Sequence, residues 1–115
     1  MKRIDDADLI SSADKQLLAE VKRAIIGMLP DATVLLYGSA ARGQRQPDSD
    51  YDVLVLTGTE LSTLEEDRVR SAVYELELKR DAVLSVSLWA VARWNMPIMS
   101  ASPYRRNVEK EGVLL

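Results

Sequence analysis

The apolar run Val34-Leu35-Leu36-Tyr37, cut off by Gly38, is the feature that most narrows what this chain can become. Four consecutive apolar residues show no alternation, so a strand made of them is buried on both faces and needs covering layers. A second run, Asp52 to Thr57, reads as another strand ended by Gly58, and Val83 to Trp89 reads as a third. Helical periodicity supplies the covering layers. Leu17, Val21, Ala24, Ile25 and Met28 recur at helical spacing after Ser11, which is placed as an N-cap, and Pro30 closes that helix. A second helix from about Glu60 to Lys79 carries Leu61, Leu64, Val69, Ala72, Val73 and Leu76 on one face. A third runs from Ser102-Pro103 to Glu111-Gly112, with proline at its first position and glycine at its end. The order helix, strand, strand, helix, strand, helix predicts a small α/β (α+β) domain, with a mixed sheet of three to four strands packed against helices.

With 115 residues there is room for one core, so 1–115 is read as a single domain without repeats or linkers. Residues 1–10 are acidic and aperiodic and are expected to fray or dock weakly. Gly38 to Ser49, with two glycines and a proline, is expected to be a loop with one helical turn. No apolar run approaches the roughly 20 residues that a membrane crossing requires. The acidic start at Asp5-Asp6 is unlike a signal peptide, so a cytoplasmic protein is expected. The chain has no cysteine and no histidine. That excludes disulfides, thiolate nucleophiles, the usual zinc sites and any histidine base. Chemistry is left to carboxylates, hydroxyls, Lys/Arg and a hard metal ion. A net charge of −3 argues against a broad grip on duplex nucleic acid.

Asp50 and Asp52 open the second strand. Residues i and i+2 of a strand point to one face, about 7 Å apart. Two carboxylates there repel each other unless positive charge sits between them, and divalent ions roughly 4 Å apart, shared with substrate phosphates, meet that need. Alone, Asp-Tyr-Asp is as easily an acidic turn. It follows, however, on Gly38-Ser39 at the carboxyl end of a buried strand, where backbone N–H groups and a hydroxyl suit a triphosphate. The joint pattern is a strand, Gly-Ser, a polar loop with Arg42 and Arg45, then Ser-Asp-x-Asp opening the next strand.

Gly38-Ser39-Ala40-Ala41-Arg42-Gly43 followed by Ser49-Asp50-Tyr51-Asp52 resembles the DNA polymerase β-type nucleotidyltransferase superfamily, with ten residues between Ser39 and Asp50. It is most similar to the minimal nucleotidyltransferase (MNT) domains that pair with helical HEPN proteins as toxin–antitoxin systems. The resemblance implies a nucleotidyltransferase fold and transfer of a nucleoside monophosphate from a triphosphate, ATP first among them, to a hydroxyl on protein, RNA or a small molecule. It implies Gly38 and Ser39 on the β/γ-phosphates, and Asp50 and Asp52 as catalytic ligands of Mg²⁺ or Mn²⁺. The family also carries a third acid on a later strand. Here Ser85 looks like that position, and Asp81 is the only acid expected on the same face. The alternative implied is a weakened nucleotide-binding, antitoxin-like module that neutralises a HEPN-type partner by contact.

Arg42 either contacts a phosphate or pairs with a nearby carboxylate such as Asp48. Arg45 is expected in solvent, and Tyr51 on the face opposite the aspartates. Trp89 and Trp94 are expected to pack and not to stack a base. The segment Trp94, Met96, Pro97, Ile98, Met99 either covers a sheet edge or forms an interface with a partner or a second copy. The arginines of Tyr104-Arg105-Arg106-Asn107 face a pocket, a partner or solvent, with nothing to decide among them.

Overall fold

The computed structural model describes residues 1–115. The elements are strand β1 (Lys2–Arg3), helix α1 (Ser12–Met28), strand β2 (Thr33–Tyr37), the one-turn helix α2 (Gly38–Ala41), strand β3 (Tyr51–Thr57), helix α3 (Thr63–Arg80), strand β4 (Leu84–Ala90), the short helix α4 (Val91–Trp94), helix α5 (Pro103–Glu111) and strand β5 (Val113–Leu114). They form one sheet in the order β1-β5-β2-β3-β4. The β2–β3 and β2–β5 pairs are antiparallel, and β3–β4 and β1–β5 are parallel. The sheet therefore has five strands where three to four were expected. The additional strands hold two residues each, too few for any hydrophobic pattern to announce them.

Strand alternation divides the core in two. Val34, Leu36, Tyr51, Val53, Val55 and Leu84 face α1 and α3 in the larger cluster. Leu35 and Leu54 face the other way, against Trp94 and Val108. Helix α1 starts where expected: Ser11 Oγ accepts a hydrogen bond from the Asp14 backbone N–H at 3.1 Å, and Leu17, Leu18, Val21 and Ile25 are buried. Helix α3 starts at Thr63, not Glu60. Ser62 and Glu65 form a reciprocal capping box there, which satisfies two backbone N–H groups that the helix start leaves unpaired. Its expected apolar stripe is only partly used. Val69 and Val73 are buried, but Leu64 is 61% exposed.

Residues 1–10 do not stand free of the domain. β1 pairs with β5, Ile4–Asp6 form a 3₁₀ turn, and Ala7 and Ile10 join the core. The segment after β4 also takes a definite form. Trp94 is buried and meets Trp89 and Tyr104 edge-to-face at 5.9 and 5.7 Å, so the tryptophans pack as expected. Pro97 starts a 3₁₀ turn, Pro97–Ala101, which leaves Ile98 79% exposed. No helix is long and apolar enough to cross a membrane.

The central strands carry the load. Leu36 is fully buried between β3, β5 and the helices. Leu36→Ala should lower the unfolding free energy by about 3 kcal/mol, read as a shift of the urea midpoint with an unchanged slope.

Candidate functional site

The site is set by the end of β2 and the start of β3, which pair so that Tyr37 lies opposite Asp52. At the next residue the chain must turn sharply. Gly38 does so with φ +75°, and a Cβ there would run into the Asp52 carboxylate. Glycine is required twice, for the positive φ and for this close approach. α2 then begins, with Ser39 half-buried in its first turn.

Asp52 points away from α1 and α3. Its parallel partner on β4 is Ser85, whose hydroxyl donates to Asp50 Oδ2 at 2.7 Å. This register puts Asp50, Asp52 and Ser85 together at one corner of the sheet. The strand position beside Asp52 is therefore held by a hydroxyl and not by an acid. Asp81 is no substitute. It closes α3 in the left-handed conformation at φ 50°, outside β4, and lines a cavity of about 530 Å³ on the α1 side with Arg45, Tyr51 and Arg80.

A further carboxylate arrives from an unexpected direction. Glu111, the last residue of α5, accepts a hydrogen bond from the Gly38 backbone N–H at 3.0 Å and pairs with Arg42 Nη1 at 2.8 Å. Arg42 also donates to Gln44. Its carboxylate partner is thus Glu111 and not Asp48. The Asp52 pKa is raised, first by burial, then by the charges of Asp50 and Glu111, with Arg42 opposing. Glu111 went unread because nothing near it in sequence points to the site. The available signal was a glutamate in a last helical turn, where the helix dipole disfavours a negative charge.

Behind the aspartates, the loop is held by Arg45. Expected in solvent, it instead donates to the carbonyl oxygens of Gln46, Pro47 and Ser49 at 2.9, 3.2 and 3.0 Å. Its guanidinium also lies 4.3 Å from the Tyr51 ring centroid, a cation–π contact. Tyr51 is buried on the opposite face from its neighbours, as expected, and its hydroxyl donates to Asp14 Oδ1 at 2.6 Å. Burial, then that hydrogen bond, pushes the tyrosine pKa up to about 12. The loop's register is thereby tied to α1. Gly43, at φ +70°, turns against Leu9, which ties the same loop to the N-terminal segment.

The rest of the aspartate-side face is aromatic. Tyr104 donates to the Tyr37 hydroxyl at 3.2 Å, and Tyr37 is held well above its usual pKa, by burial first and then by that contact. Arg105 is spent on Glu109 and on the Trp94 carbonyl oxygen, and Arg106 reaches towards the Ser100 carbonyl oxygen.

No three acidic, histidine or cysteine side chains converge as a ready metal cage. Two carboxylates on one strand face, hard oxygen donors short of positive charge, fit a cation that completes its shell with phosphate and water oxygens. That is the habit of Mg²⁺.

Comparison with known proteins identifies the family and the fold. The family model of the nucleotidyltransferase domain matches residues 15–115. A relative from Haemophilus influenzae, named as the probable protein adenylyltransferase MntA, is 34% identical over 61 residues, covering 53% of this chain and 54% of its own length. The chain thus spans about half of that relative. Among solved structures, a toxin–antitoxin complex with AMP-PNP superposes with a TM-score of 0.56 at 18% identity, covering 88% of this chain and 71% of that one. The Shewanella oneidensis tri-AMPylated HEPN toxin in complex with its MNT antitoxin gives a TM-score of 0.53 at 16% identity, covering 87% and 69%. At such identities the structural likeness establishes the fold.

The raised Asp52 pKa has a sign that can be measured. The folded chain binds this proton more tightly than the unfolded chain, so the charged form lowers stability as pH rises from the ordinary 3.8 through the raised value. Asp52→Asn should therefore raise Tm by a few degrees at neutral pH, with the gain disappearing below pH 3.8.

Proposed function

Since this chain belongs to the nucleotidyltransferase domain family, we propose that it transfers the nucleoside monophosphate of Mg-ATP to a hydroxyl of a protein acceptor, a helical HEPN-type toxin partner. The observation that carries the reading is the meeting of Gly38 with the Asp52 carboxylate, beside Asp50 on the same strand face. The acceptor and partner are suggested by the relatives: one is named as a protein adenylyltransferase, and another is the antitoxin bound to a tri-AMPylated HEPN toxin.

In this reading the acceptor oxygen bonds to the α-phosphorus, the bond from that phosphorus to its bridging oxygen breaks, and pyrophosphate leaves. Asp50 and Asp52 would hold Mg²⁺, which would offset charge on the transferred phosphoryl group. The Gly38 N–H, the Ser39 hydroxyl and Arg42 bind the phosphate oxygens. Ser85, in the register position beside Asp52, is a poor base near neutral pH. The acceptor's proton then leaves to water or to a group of the substrate, and turnover is slow.

The same serine supports a second reading, a weakened nucleotide-binding module that neutralises its partner by contact. Neutralisation that survives Asp50→Ala would favour it. For the enzyme, Asp50→Ala and Asp52→Ala should each abolish labelling of the partner from α-labelled ATP while the melting curve stays cooperative. Undiminished labelling in both would sink the assignment. Ser85→Asp should speed labelling by at least about tenfold, since a positioned general base contributes about 10² or more. No change would mean that proton removal does not limit the rate.

A further inference from the structure

We infer that Glu111 is an internal anion seated where a substrate phosphate binds, so that the chain's affinity for a triphosphate is set by how readily this carboxylate leaves. The inference rests on the nucleotide reading above and names a residue that tunes it. Glu111 saturates two donors of the proposed phosphate cradle, Gly38 N–H with Oε1 and Arg42 Nη1 with Oε2. A carboxylate presents two oxygens to such a pair much as a phosphoryl group does.

The placement is otherwise unfavourable. Glu111 stands at the negative end of the α5 dipole and its charge adds to that of Asp52. What compensates is the same pair of donors. Its backbone is fixed on both sides: Val108, one turn back, is buried, and the Gly112 N–H donates to the Val108 carbonyl oxygen at 2.7 Å just before β5 joins β2. Helix α5 therefore stays in place when the cradle opens. The Glu111 side chain rotates outward, and the more exposed Arg42 transfers to the incoming anion. A triphosphate carries more charge than a carboxylate and so displaces it.

The consequence is an apparent affinity lowered by the fraction of time the cradle stands open. If it is open a tenth of the time, binding is about tenfold weaker than intrinsic. The test uses the full chain and two probes, inorganic tripolyphosphate without metal and Mg-ATP, with calorimetry and the backbone amide resonance of Gly38 as readouts. Glu111→Ala should bind both probes about tenfold more tightly than the wild-type chain, with Glu111→Gln in between. The Gly38 amide should shift on Glu111→Ala and shift again when tripolyphosphate is added. Thermal melts report folding, and Glu111→Gln, which keeps the side chain's shape, serves if Glu111→Ala is unstable. Equal or weaker binding by the folded Glu111 variants overturns the inference while leaving the nucleotide reading intact. Absence of binding in the wild-type chain and every variant overturns both.

Discussion

The structure turns on a crowding of negative charge. Asp52 on β3 and Asp50 just before that strand meet at one corner, Glu111 reaches in from α5, and the Asp52 carboxylate lies against a residue that has no side chain to oppose it. A fold of this size gains nothing in stability from such an arrangement, because like charges in a half-buried corner raise each other's protonation free energy. It persists because its surroundings are over-determined. The β2–β3 ladder runs through five residue pairs and β3–β4 through seven, so the corner cannot relax without breaking the centre of the sheet.

Strand alternation then separates support from chemistry. Tyr51 lies between the aspartates and turns inward, where its hydroxyl meets Asp14 and its ring meets Arg45. Arg45 in turn binds three carbonyl oxygens of the loop that delivers Asp50. One face of a three-residue segment is anchored while the other turns to the corner shared with Ser85. The aromatic group Tyr37, Trp89, Trp94 and Tyr104 does similar work beyond the site, bracing α5 so that Glu111 arrives at Gly38.

Much of this was legible before folding. The central strands, the one-turn helix after Gly38, the cap at Ser11, the proline that opens α5, and the opposed directions of Tyr51 and its neighbours all follow from local patterns. The resemblance points to Ser85 as the position of the family's third acid, and the parallel register sets Ser85 beside Asp52. The misreadings share one cause. Local reading puts Arg45 in solvent and Asp81 on the strand face, and leaves Arg42 between a phosphate and a carboxylate such as Asp48, because each is judged by its neighbours in sequence. Their actual environments are made by Tyr51, by Glu111 and by the left-handed end of α3.

What the chain's own order determined is the set of elements and the presence of Gly-Ser and Asp-x-Asp at adjoining strand ends. Those features depend on backbone sterics and on periodicity over a few residues. What only the tertiary structure decided is which groups meet there. Gly38 and Glu111 are 73 positions apart, and Ser85 and Asp50 are 35 apart. Contacts over such separations come from sheet register and from the docking of α5, which no short window of sequence encodes. The Gly-Ser turn was written locally, but the carboxylate that meets it was supplied by the fold.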